Sequence, residues 1–209
     1  MGDKVSEKNT GLHFFLTFAP IYSAFQNALG AKRFRKKLVT EFFDLKAGLT
    51  VLDLGCGPGD LLEFLPSGVR YCGIDYNEKY ISSAMKRFGS RGEFILGDLR
   101  LLKDLNRQFD RIVMIGFLHH LDDEEAKSLI DLTSKVLAKD GVLVAVENVF
   151  EPNQNAVAKF LISQDRGQHV RTRENYAKLM SCSYQKVKTE VKHDFLRVPY
   201  SHVVITAHS

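Results

Sequence analysis

The apolar positions of this chain follow two rhythms. From residue 49 onward, short runs rich in β-branched residues alternate with stretches in which apolar residues recur every three or four places, the signatures of strand and helix. The runs at 50–54, 69–74, 93–96, 111–115 and 141–146 are predicted strands, and 60–65, 77–88 and 124–137 are predicted helices between them. Asp122 followed three residues later by Glu125 is a capping-box pattern that starts the last helix. Such alternation implies right-handed crossovers and a mostly parallel, doubly wound α/β sheet.

The tail has a different pattern. Segments 155–163 and 173–181 read as helices, and 184–195 and 200–207 as two neighbouring strands with no helix between them. Strands joined that closely must run antiparallel, so a seven-stranded sheet is expected to end in a hairpin. No repeat or linker divides the chain. A single domain is expected, with a helical cap over 1–47, an α/β core over 48–150, a second lid over 151–182 and the hairpin over 183–209. The stretch 12–29 is rich in apolar residues, but His13, Pro20, Gln26 and Asn27 interrupt it. It lacks the unbroken run of roughly 18 residues that a membrane span needs.

Composition narrows the picture further. A chain of 209 residues can bury a full core without staples. Its 44% hydrophobic and 26% charged residues are ordinary for a soluble globular protein. A net charge of +4 is too mild to announce a nucleic-acid binder, so no stable nucleic-acid partner is expected. Cys56, Cys72 and Cys182 are odd in number and lack metal-ligand spacing, which points to reduced thiols in a cytoplasmic protein. Nothing in the sequence resembles a metal site.

The chemistry concentrates in "VLDLGCGPGD", residues 51–60, where an apolar strand runs into a loop with Gly55, Gly57 and Gly59. A strand, a glycine loop and a helix in succession can cradle a nucleotide-like group. The dinucleotide fingerprint needs a third glycine where this chain has Asp60, and a carboxylate at a helix start repels pyrophosphate. Asp75 ends the second strand in "GIDYN" and can accept both hydroxyls of a ribose. Asp98 closes the third strand in "GDL", where it can accept from an adenine amino group, with Leu99 and Tyr76 as apolar walls.

"VLDLGCGPG", "GIDYN", "GDL" and "FDRIVMIGFLHHL", in that order and at these intervals, resemble the class I S-adenosylmethionine-dependent methyltransferases of the small-molecule type. The resemblance covers residues 48–150 firmly and the remainder in outline. It implies S-adenosylmethionine as cofactor. Gly55 and Gly57 would approach its methionine part, with Cys56 and Gly59 in the same loop. Asp75 would hold the ribose, and Asp98 with Leu99 and Tyr76 the adenine. Asp53 would orient the loop through backbone donors, and the backbone of Ile115 and Gly116 would line the cofactor near its sulfonium. The implied reaction is methyl transfer to a small molecule, at oxygen. Methylation of RNA or another macromolecule is the nearest rival, a non-catalytic cofactor binder the second, and a nicotinamide oxidoreductase a distant third.

His119 and His120 follow the fourth strand, where this family places substrate-facing residues. Histidine titrates in the range a base needs, and His120 is the slightly favoured of the two. The other is expected to pack beneath the helix start or meet a backbone carbonyl, because neighbours in a turn point apart. Within "LHFFLTFAPIYSAFQNALGAKRFRKKL", Phe18 and Tyr22 are candidates to close over the substrate, as in the quinone-type methyltransferases. In "SQDRGQHVRTREN", Thr172 is the expected cap of the next helix. Arg166, His169 and Arg171, if they face the pocket, would favour an acidic or phosphate-bearing acceptor.

Overall fold

The computed structural model describes residues 30–164 and 168–208. Five parallel strands form the body of one sheet: β1 (Thr50–Leu54), β2 (Arg70–Asp75), β3 (Gly92–Leu96), β4 (Phe109–Ile115) and β5 (Leu137–Asn148). β6 (Lys186–Lys192) and β7 (His202–His208) complete it as the expected hairpin, with β7 antiparallel to both β5 and β6. The order is β3-β2-β1-β4-β5-β7-β6. Chain direction across the sheet therefore reverses between β1 and β4, which opens a crevice at their carboxyl ends, the place where open α/β sheets take ligands.

Alternation along each strand sends successive side chains to opposite faces. Leu52, Leu54, Ile112, Met114, Leu143 and Ala145 pack one face against α3 (Asp123–Val136) and α5 (Arg173–Met180). Val51, Val113, Val144 and Val146 pack the other against Phe34 and Leu38 of α1 (Ala31–Phe42) and Ile81 of α2 (Glu78–Phe88). Both faces are covered, as a parallel sheet requires.

The helix starts are chemically explicit. The side chain of Asn77 accepts from the N–H groups of Lys79 and Tyr80 at the start of α2. Asp122 and Glu125 form the reciprocal capping box of α3. Asn155 caps α4 (Ala156–Ser163), and Thr172 caps α5 by accepting from the N–H of Asn175.

Two expectations need correction. The predicted helix at 60–65 is only a short 3₁₀ segment, Asp60–Phe64. Asp60 turns to Arg87 (2.7 Å) and Arg35 (3.2 Å) and away from the glycine loop. The last strands are shorter than 184–195 and 200–207. Phe195 sits instead in the connecting turn, buried edge-on against Phe34, so its apolar character serves the α1 contact and not a strand face.

Candidate active site

Three features meet at the crevice: the glycine loop after β1, the acidic tips of β2 and β3, and a histidine turn after β4. Gly55 (φ 72°) and Gly57 (φ 55°) adopt left-handed backbone that other residues enter only with strain. A Cβ on Gly55 would stand 2.8 Å from the Phe117 ring, so that position is closed to any side chain. A Cβ on Gly57 would meet nothing within 4 Å, which leaves open space directly over the backbone. Gly59 bonds back to Cys56 and closes the turn, its would-be Cβ 3.0 Å from Phe94. Cys56 gives its N–H to Ile74, and its buried thiol, pushed up by burial, packs beside Gly73, so its side chain serves the core.

Asp75 fixes this loop. One of its oxygens accepts the N–H of Gly57 at 2.9 Å, and the other accepts the N–H of Asn77 at 2.8 Å. Each oxygen keeps a lone pair for another donor, and the residue lines the cavity. Asp53, expected to orient the loop through backbone donors, has a different role. Its carboxylate lies buried below and accepts the Tyr71 hydroxyl at 2.7 Å. Burial raises it to about 6, with the Tyr71 bond and the Arg35 charge opposing that rise.

The cavity over these groups measures about 810 Å³, and its lining includes Gly55, Asp75, Tyr76, Asp98, Leu99 and Phe117. Tyr76 is 78% exposed at its mouth, a large aromatic surface among the described residues. Asp98 caps the 3₁₀ segment Leu99–Asp104 through the N–H of Arg100 (2.7 Å) and pairs with the same residue's guanidinium (2.6 Å). Those bonds hold its carboxyl below the ordinary range. The pair is solvent-exposed, so a ligand competes with Arg100 at small cost.

On the far side of the crevice β4 ends at Ile115, half-buried, and Gly116, whose N–H bonds to Val146 at 2.8 Å. The 3₁₀ turn Leu118–His120 follows. The two histidine rings do not point apart as expected: their centroids lie 4.2 Å apart at a 40° tilt. His119 is the buried one. Its Cε1 lies 3.6 Å from where a Cβ on Gly116 would stand, which puts the ring against the backbone that ends β4. His120 is exposed.

The residue that organises the turn is Glu147, fully buried near the end of β5 and absent from the sequence-based set. One of its oxygens accepts the N–H groups of Phe117 (2.9 Å) and Leu118 (2.8 Å). The other accepts the N–H of His119 (3.3 Å) and its Nδ1 (2.6 Å). A carboxylate is acceptor-only, so this bond places the His119 proton on Nδ1 and leaves Nε2 as the basic nitrogen. The signal was available in "VLVAVEN": an acid near the end of an apolar strand, as Asp53, Asp75 and Asp98 lie at or near the ends of β1, β2 and β3.

The lid candidates divide. Phe18, Tyr22 and Arg166 lie outside the described residues. His169 is exposed and bonds through its backbone N–H to the His119 carbonyl at 3.0 Å. Arg171 is corrected from substrate-binding to structural, because its guanidinium is buried and bonds to the carbonyls of Leu118, His169 and Leu121 and to Asp123. No N–H of Arg171 remains for an anionic acceptor.

Comparison with known proteins agrees with this geometry. A family described as a methyltransferase domain matches residues 51–141. The cyclopropane-fatty-acyl-phospholipid synthase of Escherichia coli (strain K12) is 30% identical over 120 residues, 56% of this chain and 31% of that protein. The demethylmenaquinone methyltransferase of Lactobacillus johnsonii is 32% identical over 158 residues, 69% of this chain and 63% of that protein. This chain thus spans less than two thirds of either relative. Human N-acetylserotonin methyltransferase, solved in complex with SAM, shares the fold with a TM-score of 0.69 at 18% identity, over 93% of this chain and 55% of that one.

Proposed function

We propose that the chain is a class I, Rossmann-like S-adenosylmethionine-dependent methyltransferase and that it transfers a methyl group to a small-molecule acceptor at oxygen. Its cofactor, S-adenosylmethionine, supplies when bound a methyl group on a positively charged sulfur. The residues present fit it. Open space over Gly57 admits the methionine part, and the free lone pairs of Asp75 suit ribose hydroxyls. Asp98, Leu99 and Tyr76 bound the adenine end. Asp53, held beneath the loop by Tyr71, supplies negative charge below a cationic donor.

One observation carries the oxygen reading: the Glu147–His119 pair at the crevice, beside Gly116. A hydroxyl that takes up a methyl group from the donor must give up its proton. His119 Nε2 takes that proton, and Glu147 holds the proton already on Nδ1 and stabilises the resulting imidazolium. His120 lies ring against ring with His119 and is exposed to solvent. The small-molecule reading draws support from relatives named for demethylmenaquinone and N-acetylserotonin. The test is incubation with labelled methyl donor and fractionated cell extract. Label should enter a low-mass, alkali-stable methyl ether; label in RNA or protein, or none anywhere, would refute the reading.

A further inference from the structure

Arg171 stands next to the N-cap of α5, in the segment that carries the isolated parallel bridge between Thr172 and Phe150. Its guanidinium is buried, and all five N–H groups are committed. Nε (2.9 Å) and Nη2 (2.7 Å) donate to the Asp123 carboxylate. Nη1 donates to the carbonyls of Leu118 (2.9 Å) and His169 (3.0 Å), and Nη2 also to that of Leu121 (2.9 Å). The His169 N–H takes the His119 carbonyl. Carbonyls 118, 119 and 121 are thus all bound by the 169–171 segment, while the N–H groups of 117, 118 and 119 are bound by Glu147.

The histidine turn is therefore held between opposite charges, its peptide donors on an anion and the carbonyls of Leu118 and Leu121 on a cation. We propose that Arg171 is a positioning residue for methyl transfer, locking the carbonyl side of the His119 turn to the lid so that the imidazole keeps its place beside Gly116. This rests on the reading of His119 as base. A planar fork with five donors can span four separate acceptors; a lysine, as a single point on a flexible stem, cannot. Positioning of this kind acts on turnover more than on donor binding, because the described bonds of the Arg171 guanidinium go to Asp123, Leu118, His169 and Leu121, and it meets the cavity lining only at the Leu121 carbonyl.

Arg171→Lys in the full chain tests this. By calorimetry, the dissociation constant for S-adenosylhomocysteine should stay within about twofold of wild type, since Gly57, Asp75 and Asp98 keep their bonds. In a ¹⁵N-histidine-labelled sample, wild-type His119 should show the Nδ1–H tautomer and the variant an averaged signal. With the extract fraction that takes up labelled methyl, kcat should fall about tenfold to a hundredfold at an unchanged half-saturating dilution. Unaltered kcat, a fall in kcat with an unaltered His119 signal, or a change in half-saturation alone would each overturn the proposal. If no fraction takes up label, the proposed function fails, yet the His119 signal still decides whether Arg171 holds the ring. Should Arg171→Lys not fold, Asp123→Asn weakens the exposed anchor of two of the five bonds. It should cut kcat about threefold or more at unchanged donor affinity, and wild-type kcat would overturn the proposal.

Discussion

Substituting Glu147 by Gln separates its shape from its charge. The carboxylate receives four hydrogen bonds in a site without solvent. The glutamine carbonyl can keep the pair from Phe117 and Leu118, but as neutral bonds, each weaker by about 1 kcal/mol. Its amide then faces two further donors, the N–H and Nδ1–H of His119. Leaving such a buried group unsatisfied costs about 1–3 kcal/mol. His119 can relieve one clash by moving its proton to Nε2 and accepting at Nδ1. The net loss expected is about 3–5 kcal/mol, at or below the 5–15 kcal/mol total stability of a typical domain, so the variant should fold. That relief removes the basic nitrogen, so kcat should fall by about 10²–10⁴, the range of general-base catalysis. Urea unfolding gives the first number and labelled-methyl transfer the second. A stability change under about 0.5 kcal/mol, with turnover intact, would refute the reasoning.

Two other variants follow from the buried groups. His202 is buried against Phe34, Phe195 and Tyr200 with no partner for Nδ1, and burial, with the nearby His193 charge, pushes it down to about 4. The unfolded chain protonates it below about 6.5 and the fold only below about 4, so stability is lost as pH falls through that window, by about 3 kcal/mol. His202→Phe should remove this loss. Urea midpoints for variant and wild type should diverge from pH 7 to pH 4.5; parallel pH profiles would contradict the assignment. Asp53 has the opposite sign. The unfolded chain ionises it above about 4 and the fold only above about 6, so stability falls as pH rises across that interval and stays low above it. Asp53→Asn, keeping the Tyr71 bond, should therefore raise stability at pH 7 by up to about 2 kcal/mol while weakening the cationic donor. A lowered melting temperature would show that the charge is better accommodated than its burial implies.

Much of the fold was legible because its signals are local. Short apolar runs rich in β-branched residues marked the parallel strands, and Asp122 with Glu125 and Thr172 marked helix starts that the structure reproduces in side-chain bonds. The glycine loop and the acids Asp75 and Asp98 were equally readable, since a strand's carboxyl end is visible in one dimension. The division of labour between Asp53 and Asp75 was not. It depends on which carboxylate the Tyr71 hydroxyl reaches across β1 and β2, a matter of packing. Arg171 was misassigned because a sequence shows a charge but not the four acceptors folded around it. Glu147 was missed for the converse reason: it lies 28 residues from His119, and only the pairing of β4 with β5 brings them together.

The most direct measurement is calorimetric titration with S-adenosylhomocysteine, wild type beside Asp75→Ala. The wild-type chain should bind, and the variant should bind more weakly by about 1.5–3 kcal/mol, the worth of hydrogen bonds to a charged acceptor. Equal affinities, or no heat from the wild-type protein with either the spent product or S-adenosylmethionine, would contradict the account at its centre.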